Sequence, residues 1–131
     1  MNMKNSRLPE DEGRLIGQQL CSVLVAIDYI SLKFAKYPLT ADGRFTDSAL
    51  VDIEEGFDIS KEGKAIAIRK GDNLAEFQRA GSRLIELIGH VVTDAQFLSS
   101  GELELHFDDL ATVCLLVNAL GFDSFDLTFL D

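Results

Sequence analysis

Tryptophan is absent from this chain of 131 residues, and cysteine, histidine, methionine and proline occur only twice each. Two cysteines, Cys21 and Cys114, are too few for a disulfide framework or a cysteine zinc site. Each lies in an apolar run, which predicts reduced thiols used as small core residues and fits a reducing cytoplasm. His90 and His106 have no i,i+4 partner and no nearby cysteine, so no metal is expected. Nucleotide-binding glycine loops and the G-x-S-x-G hydrolase elbow are also missing. The longest apolar run, residues 20–27, is broken by Ser22 and is far shorter than a bilayer span. Residues 1–13 are polar, with Pro9, Glu10, Asp11 and Glu12, and lack the apolar core of an export signal. These absences predict a cytoplasmic protein that is not an enzyme, carries no cofactor and does not associate with membranes.

Basic residues are scarce too, and their scarcity is uneven. Twenty-two acidic residues against twelve basic ones give a net charge of -10. Residues 1–71 hold ten basic and eleven acidic residues, whereas residues 72–131 hold two basic and eleven acidic ones. After Arg83 there is neither lysine nor arginine. Such a chain repels nucleic-acid phosphates and anionic membranes, so its electrostatic complement is a basic protein.

What is present is a globular composition, 47% hydrophobic and 26% charged. One domain is expected over residues 14–131, after a flexible segment at 1–13. Leu15–Ile27 reads as a strand, joined through Asp28 to an alternating strand over Tyr29–Lys36. Ala49–Ile53, Phe57–Ser60 and Lys64–Arg69 read as short strands. The period then changes: Leu74, Phe77, Leu84, Ile85 and Ile88 share one helical face after the capping residues Asp72 and Asn73, predicting a helix over 73–87. Strand patterns resume over His90–Leu98, Glu102–Phe107, Ala111–Asn118 and Ser124–Leu130, with Asp108-Asp109 read as a hairpin turn. The fold class expected is α+β, mainly antiparallel sheet with one central helix.

An internal repeat is suggested. Leu15-Ile16-Gly17 matches Leu87-Ile88-Gly89, Ile30–Phe34 matches Leu103–Phe107, and Phe57-Asp58-Ile59 answers Phe125-Asp126-Leu127. These matches predict a duplicated β-meander with copies at 15–71 and 87–131. The outward positions Ser31, Lys33 and Lys36 of the first copy become Glu104, His106 and Asp109 in the second. A face of one sign destabilises a fold by self-repulsion, so its presence points to a basic partner. The candidate partner-binding residues are therefore Asp94, Glu102, Glu104, His106, Asp108, Asp109, Asp123 and Asp126. Phe97, Phe122 and Phe125 are candidate apolar anchors beside them.

From Leu87 to Asp109 the run Leu-Ile-Gly, an apolar strand, a Ser/Gly turn and Glu-Leu-Glu-Leu-His-Phe-Asp-Asp resembles a group of small acidic bacterial proteins of unknown function. That group is built from two β-rich copies and includes immunity proteins of contact-dependent growth inhibition and other polymorphic toxin systems. The likeness runs from Leu15 to Leu127, with Leu110 and Phe125 standing where glycine and tryptophan are expected. It implies an inhibitor that holds acids against a basic toxin domain, often a nuclease. Two other readings stand beside it: an oligomerisation module, monomer or homodimer being undecided, and a small ligand-binding domain using Glu104, His106 and Asp109 in a cleft.

Overall fold

Apolar residues at alternate positions put one face of each strand into a common core, and they do so in two sheets rather than one. The structure, a computed structural model, describes residues 11–36, 42, 48–118 and 124–129. A short 3-10 helix, Asp11–Leu15, precedes β1 (Gln19–Val25), β2 (Ile30–Ala35), β3 (Ser48–Ile53), β4 (Gly56–Lys61) and β5 (Lys64–Arg69). The helix α1 (Leu74–Ile85) follows, then β6 (Val92–Phe97), β7 (Leu103–Phe107), β8 (Ala111–Leu115) and β9 (Phe125–Phe129). The expected mainly antiparallel α+β architecture is what forms. One sheet has the order β1-β2-β3-β9, the other β5-β4-β8-β7-β6.

Only Glu54 and Glu55 separate β3 from β4, yet these strands do not pair. The chain instead crosses to the other sheet, where β4 lies between β5 and β8, while β9 crosses back to lie beside β3. Each meander thus receives its fourth strand from the other. The registers correspond pair for pair. Ile30, Leu32 and Phe34 lie opposite Ile53, Val51 and Ala49; Leu103, Leu105 and Phe107 lie opposite Leu115, Val113 and Ala111. The incoming strands set Phe125 opposite Ile53 and Phe57 opposite Leu115. Where the meanders begin, the contacts are reciprocal: Gly17 N–H donates to Val92 and Gly89 N–H to Leu20, both at 2.8 Å. Gly17 and Gly89 take φ of +90° and +95°, a region that favours glycine.

The inward side chains of the two sheets meet in one core, with the Phe34 and Phe107 rings stacked 6.2 Å apart. Asn73 caps α1, its side chain accepting from Glu76 N–H at 3.0 Å. The helix buries Phe77, Ala80, Gly81 and Leu84, and Phe77 packs on Phe57. The expected apolar face is therefore corrected: Leu74, Ile85 and Ile88 are exposed. Gly81 explains the rotation, since a Cβ there would come within 2.5 Å of Val25 Cγ2. Side-chain-free backbone lets α1 lie close against β1.

Two further expectations change. Leu15 ends a 3-10 helix and the first strand starts only at Gln19, because the Gly17 turn intervenes. Cys21 and Cys114 are free thiols, and neither is a core residue; both are half-buried. Of the expected flexible segment 1–13, residues 1–10 lie outside the described residues.

The crossing from β3 to β4 is tightly held. Glu54 and Glu55 both donate their N–H groups to the Ser124 carbonyl at 2.9 Å. The Glu55 carboxylate accepts from Asn118 at 3.0 Å and from Arg69 at 2.7 Å. The Asn118 hydrogen bond, with the Arg69 hydrogen bond and charge, outweighs burial and holds the Glu55 carboxyl below its ordinary value. Gly56 follows at φ +157°, where a Cβ would sit 2.2 Å from the Ile68 carbonyl oxygen. Gly63, in the β4–β5 turn at φ +77°, faces open space. Gly56→Ala should therefore lower unfolding stability by about 3 kcal/mol or more, and Gly63→Ala by only about 1 kcal/mol. Urea denaturation of the two variants checks this, and equal losses would contradict the close backbone approach at Gly56.

Candidate functional site

Strand pairing collects acids on the outer face of the five-stranded sheet. Opposed residues on neighbouring strands share a face, so one row runs Ala67, Asp58, Cys114, Glu104, Gln96 across β5, β4, β8, β7 and β6. The next runs Ala65, Ser60, Thr112, His106, Asp94. Glu102, just before β7, begins a third row in register with Leu116, Gly56 and Arg69, and its Oε1 lies 3.9 Å from the Cys114 sulfur. The first two rows contain neither lysine nor arginine, and Arg69 in the third is paired with Glu55 at 2.7 Å.

Glu104 is the most constrained of these acids. Its Oε1 lies 2.8 Å from His106 Nε2 and accepts from the Gln96 amide at 3.3 Å. An ionised carboxylate can only accept, so His106 carries a proton on Nε2, and its Nδ1 lies 3.3 Å from the Thr112 hydroxyl. The His106 hydrogen bond, helped by that of Gln96, keeps the Glu104 carboxyl below its ordinary value despite partial burial. Cys114 shows the opposite effect. Burial first, then the charges of Glu102, Glu104 and Asp58, push its thiol up to about 11. The thiol is thereby kept protonated and unreactive.

The structure divides the expected site. Asp94, Glu102, Glu104 and His106 lie together on this face. Asp108 and Asp109 are exposed in the β7–β8 turn, where Asp108 has φ +51° and its carboxylate lies 3.1 Å from His90 Nδ1. Asp126 does not belong with them: it sits on β9, opposite Asp52 in the other sheet. Asp123 and Phe122 lie outside the described residues. Phe125 is buried in the core and stacks at 6.3 Å on the half-buried Phe97, which packs against that core, so neither ring is an exposed anchor.

Asp58 was missed because it comes from the nearly neutral first half of the chain. The correspondence of Phe57-Asp58-Ile59 with Phe125-Asp126-Leu127 is the one signal that marks it, since these are the two exchanged strands. An open recess of about 320 Å³ beside the face is lined by His106, Asp108, Asp109 and Thr112 but not by Glu104. Among the described residues no three metal-binding side chains converge, and no helix is long and apolar enough to cross a membrane. Compared with protein-family models, curated proteins and solved structures, the chain matches none.

Two expected outcomes follow from the electrostatics. Alkylation of Cys114 by iodoacetamide near pH 8 should be slow, and Glu102→Gln with Glu104→Gln should speed it several-fold by lowering the thiol pKa. An unchanged rate would show that the acids exert no appreciable field there. Glu104 has a depressed carboxyl, so its stabilising contribution is present above about pH 4.5 and is lost as pH falls through its lower folded value. The stability difference between wild type and Glu104→Gln, measured by denaturation at several pH values, should shrink across that acid limb.

Proposed function

We propose that this protein is a non-catalytic inhibitor, an immunity protein that neutralises a cognate basic bacterial toxin domain by holding the acidic face of the five-stranded sheet against it. The observation that carries this reading is the grouping of Asp58, Asp94, Glu102 and Glu104 on one face, where Arg69, the basic residue in register with Glu102, is already paired with Glu55. Self-repulsion on such a face disfavours folding, and a basic surface relieves it on binding. The β-sheet beneath is rigid and the acids are partly fixed by neighbours, so little ordering is needed on association. A nuclease domain fits the charge, because its substrate-binding surface is itself basic. The protein acts in the compartment where such a toxin would arrive, the cytoplasm.

The two meanders are, on the same reading, copies of one unit. Support comes from the matched registers, the paired glycines Gly17 and Gly89, and the reciprocal placing of β4 and β9. The copies differ in what they show outward. Ser31 and Lys33 occupy in the four-stranded sheet the places that Glu104 and His106 occupy in the five-stranded one. Binding function thus resides in one of two equivalent faces.

The test is stopped-flow association with the basic C-terminal domain of a toxin encoded beside this chain. Association should slow steeply as salt rises, and reversal of Glu102, Glu104 and Asp109 to lysine should lower the rate by about 10- to 100-fold with the fold intact. Equal rates for wild type and the triple variant would exclude the acidic face as the contact.

A further inference from the structure

The edge of the five-stranded sheet at β5 is open. Leu116 N–H donates to the Gly56 carbonyl, so Gly56, Asp58 and Ser60 direct their backbone groups to β8, and Phe57, Ile59 and Lys61 direct theirs to β5. On β5 the partners of those three are Ile68, Ile66 and Lys64. Ala65 and Ala67 therefore turn their N–H and C=O groups outward, and among the described residues neither strand nor helix accepts or donates there. Both alanines are exposed and short, leaving the edge accessible.

Beside this edge, between β5 and α1, run two adjoining cavities. One of about 490 Å³ is lined by Lys61, Glu62, Lys64, Ile66, Arg83 and Glu86. The next, about 280 Å³, is lined by Ile66, Ile68, Glu76, Arg79 and Arg83. Ile66 and Arg83 border both. Lys61 is paired with Glu86 at 2.9 Å and Arg79 with Glu76. Lys64 and Arg83 pair with no carboxylate among the described residues. A strand added to β5 would send alternate side chains into this groove, where successive cavities await them.

We propose that the β5 edge takes up an extended acidic segment of a protein partner as a sixth strand, its alternate carboxylates entering the groove at Lys64 and Arg83. Charge selects this occupant. A second copy of the chain pairing through β5 would send its own Lys64 into the same groove, cation toward cation. The groove lies on the side of the sheet facing α1, across from Glu104, and its linings carry four basic residues against three acidic ones; only Ala65 and Ala67 are common to both surfaces, so the proposal stands apart from the toxin reading.

The probe is a capped peptide alternating glutamate with threonine and valine, about eight residues long, titrated into the full-length 15N-labelled protein. Saturable binding is expected with Kd below about 1 mM. Shifts should centre on residues 64–69 and 79–83, and the Ala65 and Ala67 amides should gain protection from hydrogen exchange. Arg83→Glu should weaken binding at least tenfold. Ala67→Pro, which removes an outward N–H without touching the β4 pairing, should abolish the protection. No saturable shift, equal binding by the lysine counterpart of the peptide, or unchanged Ala65 and Ala67 exchange at saturation would overturn the proposal. So would sedimentation showing a dimer through β5 in the absence of peptide.

Discussion

Where the chain leaves β3, the backbone N–H groups of Glu54 and Glu55 both donate to the carbonyl of Ser124, and the Glu55 carboxylate is gripped by Arg69 and Asn118. This corner joins the start of β9, the end of β5 and the chain beyond β8 to the one short link between the sheets. A two-residue link would ordinarily make a hairpin. Here its polar groups are taken by other elements, so β4 is delivered to the opposite sheet, and Gly56 lets its backbone pass close to Ile68. The core, the exchange of strands and the distribution of surface charge all depend on that choice.

Alternation made most elements legible in advance. Ile30 to Phe34, Lys64 to Arg69 and Leu103 to Phe107 each show a period of two, and each is a strand within a residue of the expected bounds. Asn73 marked the start of α1 for a local reason, its side chain capping Glu76 N–H. What sequence pattern missed was set by contacts distant in the chain. The helix turns Phe77, Ala80 and Gly81 inward and leaves Ile85 exposed because β1 approaches at Gly81, which no helical periodicity encodes. Cys114 reads as one step in a continuous apolar run, yet it points outward, since β8 buries only alternate residues.

The candidate site was legible in the same partial way. Glu104 and His106 could be placed on one face from their spacing alone, and they do meet. Segregation of charge by chain half is not segregation by sheet, however. The exchange carries Asp58 into the acidic face and takes Asp126 out of it, replacing one expected member with an unexpected one. The basic groove at Lys64 and Arg83 has no sequence signature, because its walls come from a hairpin and a helix that meet only in the folded chain.

Exchange of β4 and β9 is thus the claim on which the composition of the acidic face rests, and nuclear Overhauser contacts between α-protons test it most directly. In antiparallel sheet the residues opposed without mutual hydrogen bonds bring their α-protons closest. The exchanged fold predicts strong α-proton contacts between Phe57 and Leu115, between Ile59 and Val113, and between Ile53 and Phe125. Contacts of β4 with β3 and of β9 with β8 in their place would contradict it, setting Asp58 beside Asp52 and returning Asp126 to the neighbourhood of Glu104.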